Sequence, residues 1–285
     1  MGQNSKIEWT HHTFNPWWGC VKVSPACKFC YAETWARRVG VEAWGNKAER
    51  RFFSSQHWKE PYKWNREAND LAPGHPDRPR VFCASMADVF EKRHDLDEWR
   101  ARLWTVIAET PRLDWLLLTK RPEHVGQLVP WTTDWPTNVW LGTTAENQHW
   151  ASKRITQLMR YPAAVRFASC EPLLGAVNLE PWLAPRRSGA GLNWVIAGGE
   201  SGSKSRPMNP SWAMSIRDQC ERVGVPFHFK QWGHWGPDSI GAKRQTQTVT
   251  VIDQRGSPIQ LFKLGKHATG RELAGQVHDG FPVAA

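Results

Sequence analysis

The sequence predicts an α/β protein whose parallel sheet is closed, wholly or in part, into a TIM-like barrel of six or seven β/α units. Three observations predict it. Short apolar runs recur at residues 81–85, 114–120, 138–144, 165–171, 193–200 and 226–231. These runs are continuous rather than alternating, as strands buried on both faces are. Longer amphipathic segments separate them, and strands alternating with helices are what crossover connections require. Six runs exceed the needs of a small doubly wound sheet, which favours a barrel, with an open Rossmann-type sheet as the alternative.

Taken in order, residues 6–10 supply a possible first strand. Residues 31–45, with Ala, Glu and Arg and a closing Gly45, read as a helix. Residues 46–80 are polar and rich in Trp and Pro, and read as a helix followed by an irregular crossing. Two segments between the apolar runs carry clear helical pattern: LDEWRARLWTVIAETP (96–111) and PSWAMSIRDQCERVG (210–224). The second has Ser211 as N-cap candidate and Gly224 beyond its end. Residues 1–235 are assigned to the barrel. From 236 to 285 the character changes: QTQTVTVIDQRGSPIQLFKL reads as a β-hairpin around Arg255, Gly256 and Ser257, and GKHATGRELAGQVHDGFP as a short helix and tail. This is a small C-terminal appendage.

Each run ends in polar or small residues. Ser85, Met86 and Asp88 follow the first, and Thr119, Lys120 and Arg121 the second. The others end in Gly142 to Asn147 (including Thr143, Thr144 and Glu146), in Ser169, Cys170 and Glu171, in Gly198, Gly199, Glu200 and Ser201, and in Lys230 and Gln231. A parallel barrel gathers these positions at one face, where such folds keep their active sites. Polar groups there are costly to bury unless they bind something.

The balance of 37 Lys+Arg against 27 Asp+Glu gives a formal charge of +10, which suits a polyanionic partner, with a plain basic soluble enzyme as the alternative. Nineteen Trp suit core packing, and any exposed ones suit stacking platforms for bases. The first residues lack an apolar core segment and no run approaches eighteen apolar residues, so a cytoplasmic protein without a membrane span is expected. In a reducing compartment, clustered cysteines point to a metal or to catalysis.

Residues 19–33, GCVKVSPACKFCYAE, hold three of the six cysteines. The spacing Cys20-x6-Cys27-x2-Cys30 suits a [4Fe–4S] cluster held by three thiolates, with one iron left open. A zinc site completed by His11 or His12 is the alternative.

The segment Cys27-Lys28-Phe29-Cys30 resembles the end of the cluster loop of radical S-adenosylmethionine enzymes, where the aromatic residue packs beside the bound nucleoside. The first gap is six residues, where most of that superfamily has three. FNPWWGCVKVSPACKFCYAE, MADVFE, LLLTKRPE, LGTTAEN, RFASCEPLLG, WVIAGGESG, RPM, RDQC, PFHFKQWG and the C-terminal GKHATGRELAGQVHDGFP follow in this order. Together they resemble a phage- and bacterium-borne family of radical-SAM-like proteins, and more distantly spore photoproduct lyase. The resemblance implies a partial barrel of radical SAM type, a [4Fe–4S] cluster on Cys20, Cys27 and Cys30, S-adenosylmethionine, and an external electron donor of flavodoxin or ferredoxin type. It implies cofactor contacts from Phe29 and Tyr31. Acceptors at strand ends, Ser85, Asp88, Glu146 and Glu200, stand ready for the cofactor's ammonium and hydroxyls, with Gly198 and Gly199 beside them. The Gly-Gly-Glu here comes late in the chain, whereas in many radical SAM enzymes it follows the second strand. A hydrogen-atom donor of the kind spore photoproduct lyase uses would be Cys170, with Cys83 next. Lys120, Arg121, Arg186, Arg187, Lys204, Arg206 and Lys230 would track phosphate. The leading expectation is a radical SAM enzyme on DNA, repairing a thymine photolesion or modifying a base. The alternatives are a radical SAM enzyme on a small nucleoside or peptide, and a zinc-stabilised nucleic-acid-binding protein without catalysis.

Overall fold

The computed structural model describes residues 2–73, 75–184, 191–239 and 241–282. In chain order the elements are β1 (His12–Thr13), β2 (Trp17–Trp18), α1 (Tyr31–Arg38), β3 (Arg51–Phe52), α2 (Glu60–Glu67), β4 (Arg80–Cys83), α3 (Asp97–Glu109), β5 (Asp114–Thr119), α4 (Val125–Leu128) and β6 (Val139–Thr144). There follow α5 (Gln148–Leu158), β7 (Val165–Cys170), β8 (Trp194–Gly198), α6 (Pro210–Val223), β9 (Phe227–Gln231), β10 (Trp235–Gly236), β11 (Thr248–Ile252), β12 (Pro258–Lys263), α7 (Lys266–Thr269), β13 (Glu272–Leu273) and β14 (Gln276–Val277).

All six apolar runs are strands. With β1 they form one seven-stranded sheet in the order β1-β4-β5-β6-β7-β8-β9, each neighbouring pair parallel. The sheet curls into a half barrel with β1 and β9 at its edges. The first strand lies later than residues 6–10 predict. Thr10 donates through Oγ1 to Arg80 O at 2.9 Å, and the chain becomes a strand only at His12, paired with Val81.

Within each apolar run the side chains still alternate between faces. Phe82, Leu116, Trp140, Phe167, Trp194 and Ile196 point inward and fill the half barrel together with Trp9. Their neighbours Val81, Cys83, Trp115, Leu117, Leu141, Ala168, Cys170 and Ala197 point outward against the helices. Gly142 makes the inner layer possible, since a Cβ there would lie 2.3 Å from the Phe167 ring.

Helix α1 stops at Arg38, short of Gly45, and Gly40 turns the chain with a φ of +74°. Helix α6 is capped by Asn209 rather than Ser211. Asn209 Oδ1 accepts from Ser211 N at 3.0 Å, and Pro210 takes the first helical position, where its missing N–H costs nothing. Gly224 ends the helix in the left-handed conformation. The C-terminal hairpin forms as β11 and β12, with β10 on the other side of β12. The tail is more than an appendage. Phe229 N donates to His278 O at 2.9 Å, Gly280 N to Phe227 O at 2.9 Å, and Trp194 Nε1 to Gly280 O at 2.7 Å. Residues 278–281 thus strap the β9 edge, and Phe281 lies under the Arg80 guanidinium, 4.2 Å away. No helix among the described residues is long and apolar enough to cross a membrane.

Candidate active site

A cavity of about 380 Å³ opens at the carboxyl ends of the parallel strands. Its walls are the strand-end residues on one side and the cysteine loop on the other, with Cys20, Cys27 and Cys30 all in the lining. The loop leaves the β2 region through Gly19, whose φ is +116°. A Cβ there would lie 2.2 Å from Ala43 O, so only glycine fits. Gly19 N donates to Met86 O at 3.0 Å, which ties the loop to the chain just beyond β4.

Three acid–arginine pairs hold the loop in place. Asp88 and Arg121 are both buried and meet at 2.8 Å. Asp88 also accepts from Thr119 Oγ1 (2.8 Å), Lys120 N (3.1 Å) and Phe90 N (3.1 Å). Arg121 donates onward to Val21 O at 2.7 Å and reaches Cys20 Sγ at 3.6 Å. Glu146 and Arg154 meet at 2.7 Å with no exposed surface on the acid, and Glu146 accepts from Ala26 N at 3.3 Å. Glu200 takes Arg206 through both carboxylate oxygens, and Arg206 donates to Pro25 O at 3.0 Å while lying 5.3 Å from the Phe29 ring centroid. Each pair starts at or just past a strand end and finishes on the cysteine loop.

Several expected site residues take up different work. Asp88, Glu146 and Glu200 have their carboxylates engaged within the protein, and Arg121 and Arg206 are loop clamps. Gly199 is glycine because a Cβ would sit 1.9 Å from Trp232 O, and Gly198 is crowded at 3.3 Å by Gln231 O. Cys83 and Cys170, expected as hydrogen-atom donors, are absent from the cavity lining. Both are fully buried on the outer face of the sheet, and the cavity is lined instead by their neighbours Phe82, Ala84, Ser169 and Glu171. Burial pushes both thiols well above the ordinary thiol range. His11 and His12 lie at the amino end of the half barrel and are absent from the cavity lining. His11 Nδ1 accepts from Arg80 N at 2.9 Å and His12 stacks on Trp64, so neither completes a zinc site with the cysteines.

Phe29, Tyr31, Ser85, Lys120 and Lys230 do line the cavity. Tyr31 is exposed, and its hydroxyl donates to Ser85 O at 2.7 Å. Asn15 reaches Ser85 Oγ with Nδ2 at 3.1 Å, and its Oδ1 accepts from Met86 N at 2.7 Å. Lys230 donates to both oxygens of Glu171, at 2.8 and 2.9 Å. Lys204 is exposed outside the cavity, and Arg186 and Arg187 lie outside the described residues. Of the nineteen Trp, only Trp35 counts as an exposed large side chain, so the Trp load is overwhelmingly packing.

Sequence reasoning missed Arg154 and Trp9 as parts of this region. The signal for Arg154 was present: it falls with Ala151, Ile155 and Leu158 on the buried stripe of α5, where an arginine needs an acid.

The six cysteines carry no disulfide. Burial raises the Cys20 thiol to about 12 against the opposing pull of Arg121, and burial raises Cys30 as well. Thiols so placed stay protonated until a cation displaces the proton. Among the described residues, no three His, Cys, Asp or Glu side chains stand close enough together to hold a metal ion as placed. Three free thiols nevertheless share the lining of one cavity, and thiols are the donors an iron–sulfur cluster takes.

A parallel half barrel with a thiol-bearing loop clamped over its strand ends defines the class of this protein. Residues 4–282 match the family described as "Protein of unknown function (DUF5131)", and the chain belongs to it. No curated protein and no solved structure matches the chain.

Proposed function

We propose that the chain is a radical S-adenosylmethionine enzyme with a [4Fe–4S] cluster on Cys20, Cys27 and Cys30. The observation that carries this reading is the placement of three free cysteines in the lining of the cavity onto which a parallel half barrel opens. When bound there, the cluster and cofactor would supply one-electron reduction and hydrogen-atom abstraction. The remaining work belongs to the chain. Arg121, Glu146 and Arg206 fix the loop against three separate strand ends, so that the thiols keep their positions while the cavity is filled. Phe29, with Arg206 near its ring, offers a flat apolar surface to a nucleoside. Apolar Ile7, Trp9, Phe82 and Leu118 line the cavity and exclude water from a reactive carbon centre. Lys230 donates through Nζ to both oxygens of Glu171. An external electron donor of flavodoxin or ferredoxin type goes with this reading.

Among the substrate readings, a small molecule is favoured over DNA by a specific observation. Arg121, Arg206 and Lys230, expected to track phosphate, are paired internally with Asp88, Glu200 and Glu171.

Anaerobic reconstitution tests the reading. The loaded protein should be brown and carry about four irons per chain. Changing Cys20, Cys27 or Cys30 to Ala should each abolish iron binding. One zinc per chain with no iron would sink the proposal.

A further inference from the structure

The cavity wall farther along the sheet, at the ends of β7, β8 and β9, has its own chemistry. Glu171, Ser201, Lys230 and Gln231 form one hydrogen-bonded group. Lys230 meets Glu171, and Gln231 Nε2 donates to Glu171 Oε1 (3.1 Å), Ser201 Oγ (2.9 Å) and Gly199 O (3.3 Å). Lys266 joins them in the lining. It opens α7, which Thr269 Oγ1 ties to Gly233 O, two residues beyond β9.

Three features of the cavity are left unsatisfied by the protein. The half-buried Lys266 ammonium has no acceptor among the described residues, while Lys230 and Glu171 cancel, leaving the wall with one positive charge. Gln231 is 5% exposed, and with both Nε2 hydrogens engaged its Oε1 is buried without a donor. Trp9, also in the lining and 2% exposed, has its Nε1 buried without an acceptor. Buried polar atoms without partners are rare because each costs the desolvation of the group. A cation, an acceptor and a donor thus belong to residues lining one cavity.

We propose that this wall, Glu171, Ser201, Lys230, Gln231 and Lys266 with Trp9, binds a compact phosphorylated or carboxylated small molecule that carries its own N–H or O–H donor. Its anionic group sits at Lys266, its donor meets Gln231 Oε1, and an acceptor meets Trp9 Nε1. A nucleoside monophosphate and a short peptide both have this chemistry. The inference rests on the proposed function only in taking the cavity as the substrate site.

Calorimetric titration with nucleoside 5′-monophosphates, dipeptides and a short DNA duplex tests it, on protein with and without reconstituted cluster. One of the two small-molecule sets should bind, and its counterparts without the anionic group (the nucleosides, or dipeptides acetylated at the N-terminus and amidated at the C-terminus) should bind about tenfold more weakly. Lys266→Met should weaken the anion by about tenfold, and Lys266→Arg should retain it. The same probes should still bind with S-adenosylmethionine saturating. The inference falls if neither small-anion set binds, if Lys266→Met binds as well as the parent, if the cofactor displaces the probe, or if only the duplex binds. A chain that binds the anion but takes up no iron keeps this inference and loses the radical reading. An iron-replete chain that binds no compact anion does the reverse.

Discussion

Arg121 shows how much one side chain carries in this site. It neutralises Asp88, donates to the backbone of the cysteine loop at Val21, and faces the Cys20 sulfur. Burial alone would raise the Asp88 carboxyl, but Arg121 and the donors from Thr119, Lys120 and Phe90 outweigh it and hold the group below the ordinary carboxylate range. Removing the arginine would strand that charge. Arg121→Met should therefore destabilise the fold by about 3–5 kcal/mol, and Arg121→Met with Asp88→Asn should recover part of the loss. Cys170→Ala, which only trims a packed outer position, should cost about 1–2 kcal/mol. Chemical denaturation of the cluster-free protein reads all three. Equal losses for Arg121→Met and Cys170→Ala would show that the pair is not what anchors the loop.

At the scale of elements, the strands were legible because each is a short, mostly apolar run, and that needs no knowledge of its partners. What such a run hides is its own alternation. Cys83 and Cys170 look like strand-end chemistry in the sequence, yet the pleat sends them outward and gives the cavity Ala84, Ser169 and Glu171. The clamps were hidden for another reason. Arg154 comes from a helix and Arg206 from the loop after β8, so each acid at a strand end looks unpaired until the chain is folded. A loop held this way should loosen when one clamp is cut. Arg206→Met loses the bonds to Glu200 and Pro25 at the rim rather than deep in the core. In cluster-free protein its Cys27 should react with a thiol reagent several-fold faster than the parent's, with Cys170 unchanged as internal reference. An unaltered rate would mean that Asp88–Arg121 and Glu146–Arg154 suffice.

The C-terminal strap makes a second prediction at this scale. His228 in β9 is fully buried between Trp194, Phe281 and Asp279, with neither ring nitrogen hydrogen-bonded. Burial, reinforced by the Arg271 charge, lowers it to about 4, although Asp279 pulls the other way. The folded protein thus keeps this imidazole neutral where the unfolded chain, with an ordinary value near 6.5, takes up a proton. Stability on this account is complete above about pH 6.5 and falls by as much as about 3 kcal/mol as the pH drops towards 4. Urea midpoints across that range should decline less steeply in His228→Gln than in the parent. Identical slopes would place the acid sensitivity elsewhere.

For the whole molecule, the formal charge of +10 has no outlet through Arg121, Arg206 or Lys230 at the cavity mouth. A cation that contacts phosphate releases a counterion and contributes about one unit to the slope of log affinity against log salt. A cation already paired with a buried carboxylate has no such release to offer. Arg121 is paired in this way, Lys230 is paired with the half-buried Glu171, and Arg206 makes four bonds inside the protein. Any binding to a DNA duplex should then be weak and salt-sensitive, driven by exposed residues such as Lys204. Its salt slope should be unchanged in Arg121→Met and lower by about one in Lys204→Met if that lysine meets the backbone. Folding of the arginine variant is checked first by its circular dichroism, since the pair it breaks is buried. A fall of about one unit with Arg121→Met would show that this guanidinium leaves Asp88 to reach phosphate, and would return the substrate to nucleic acid.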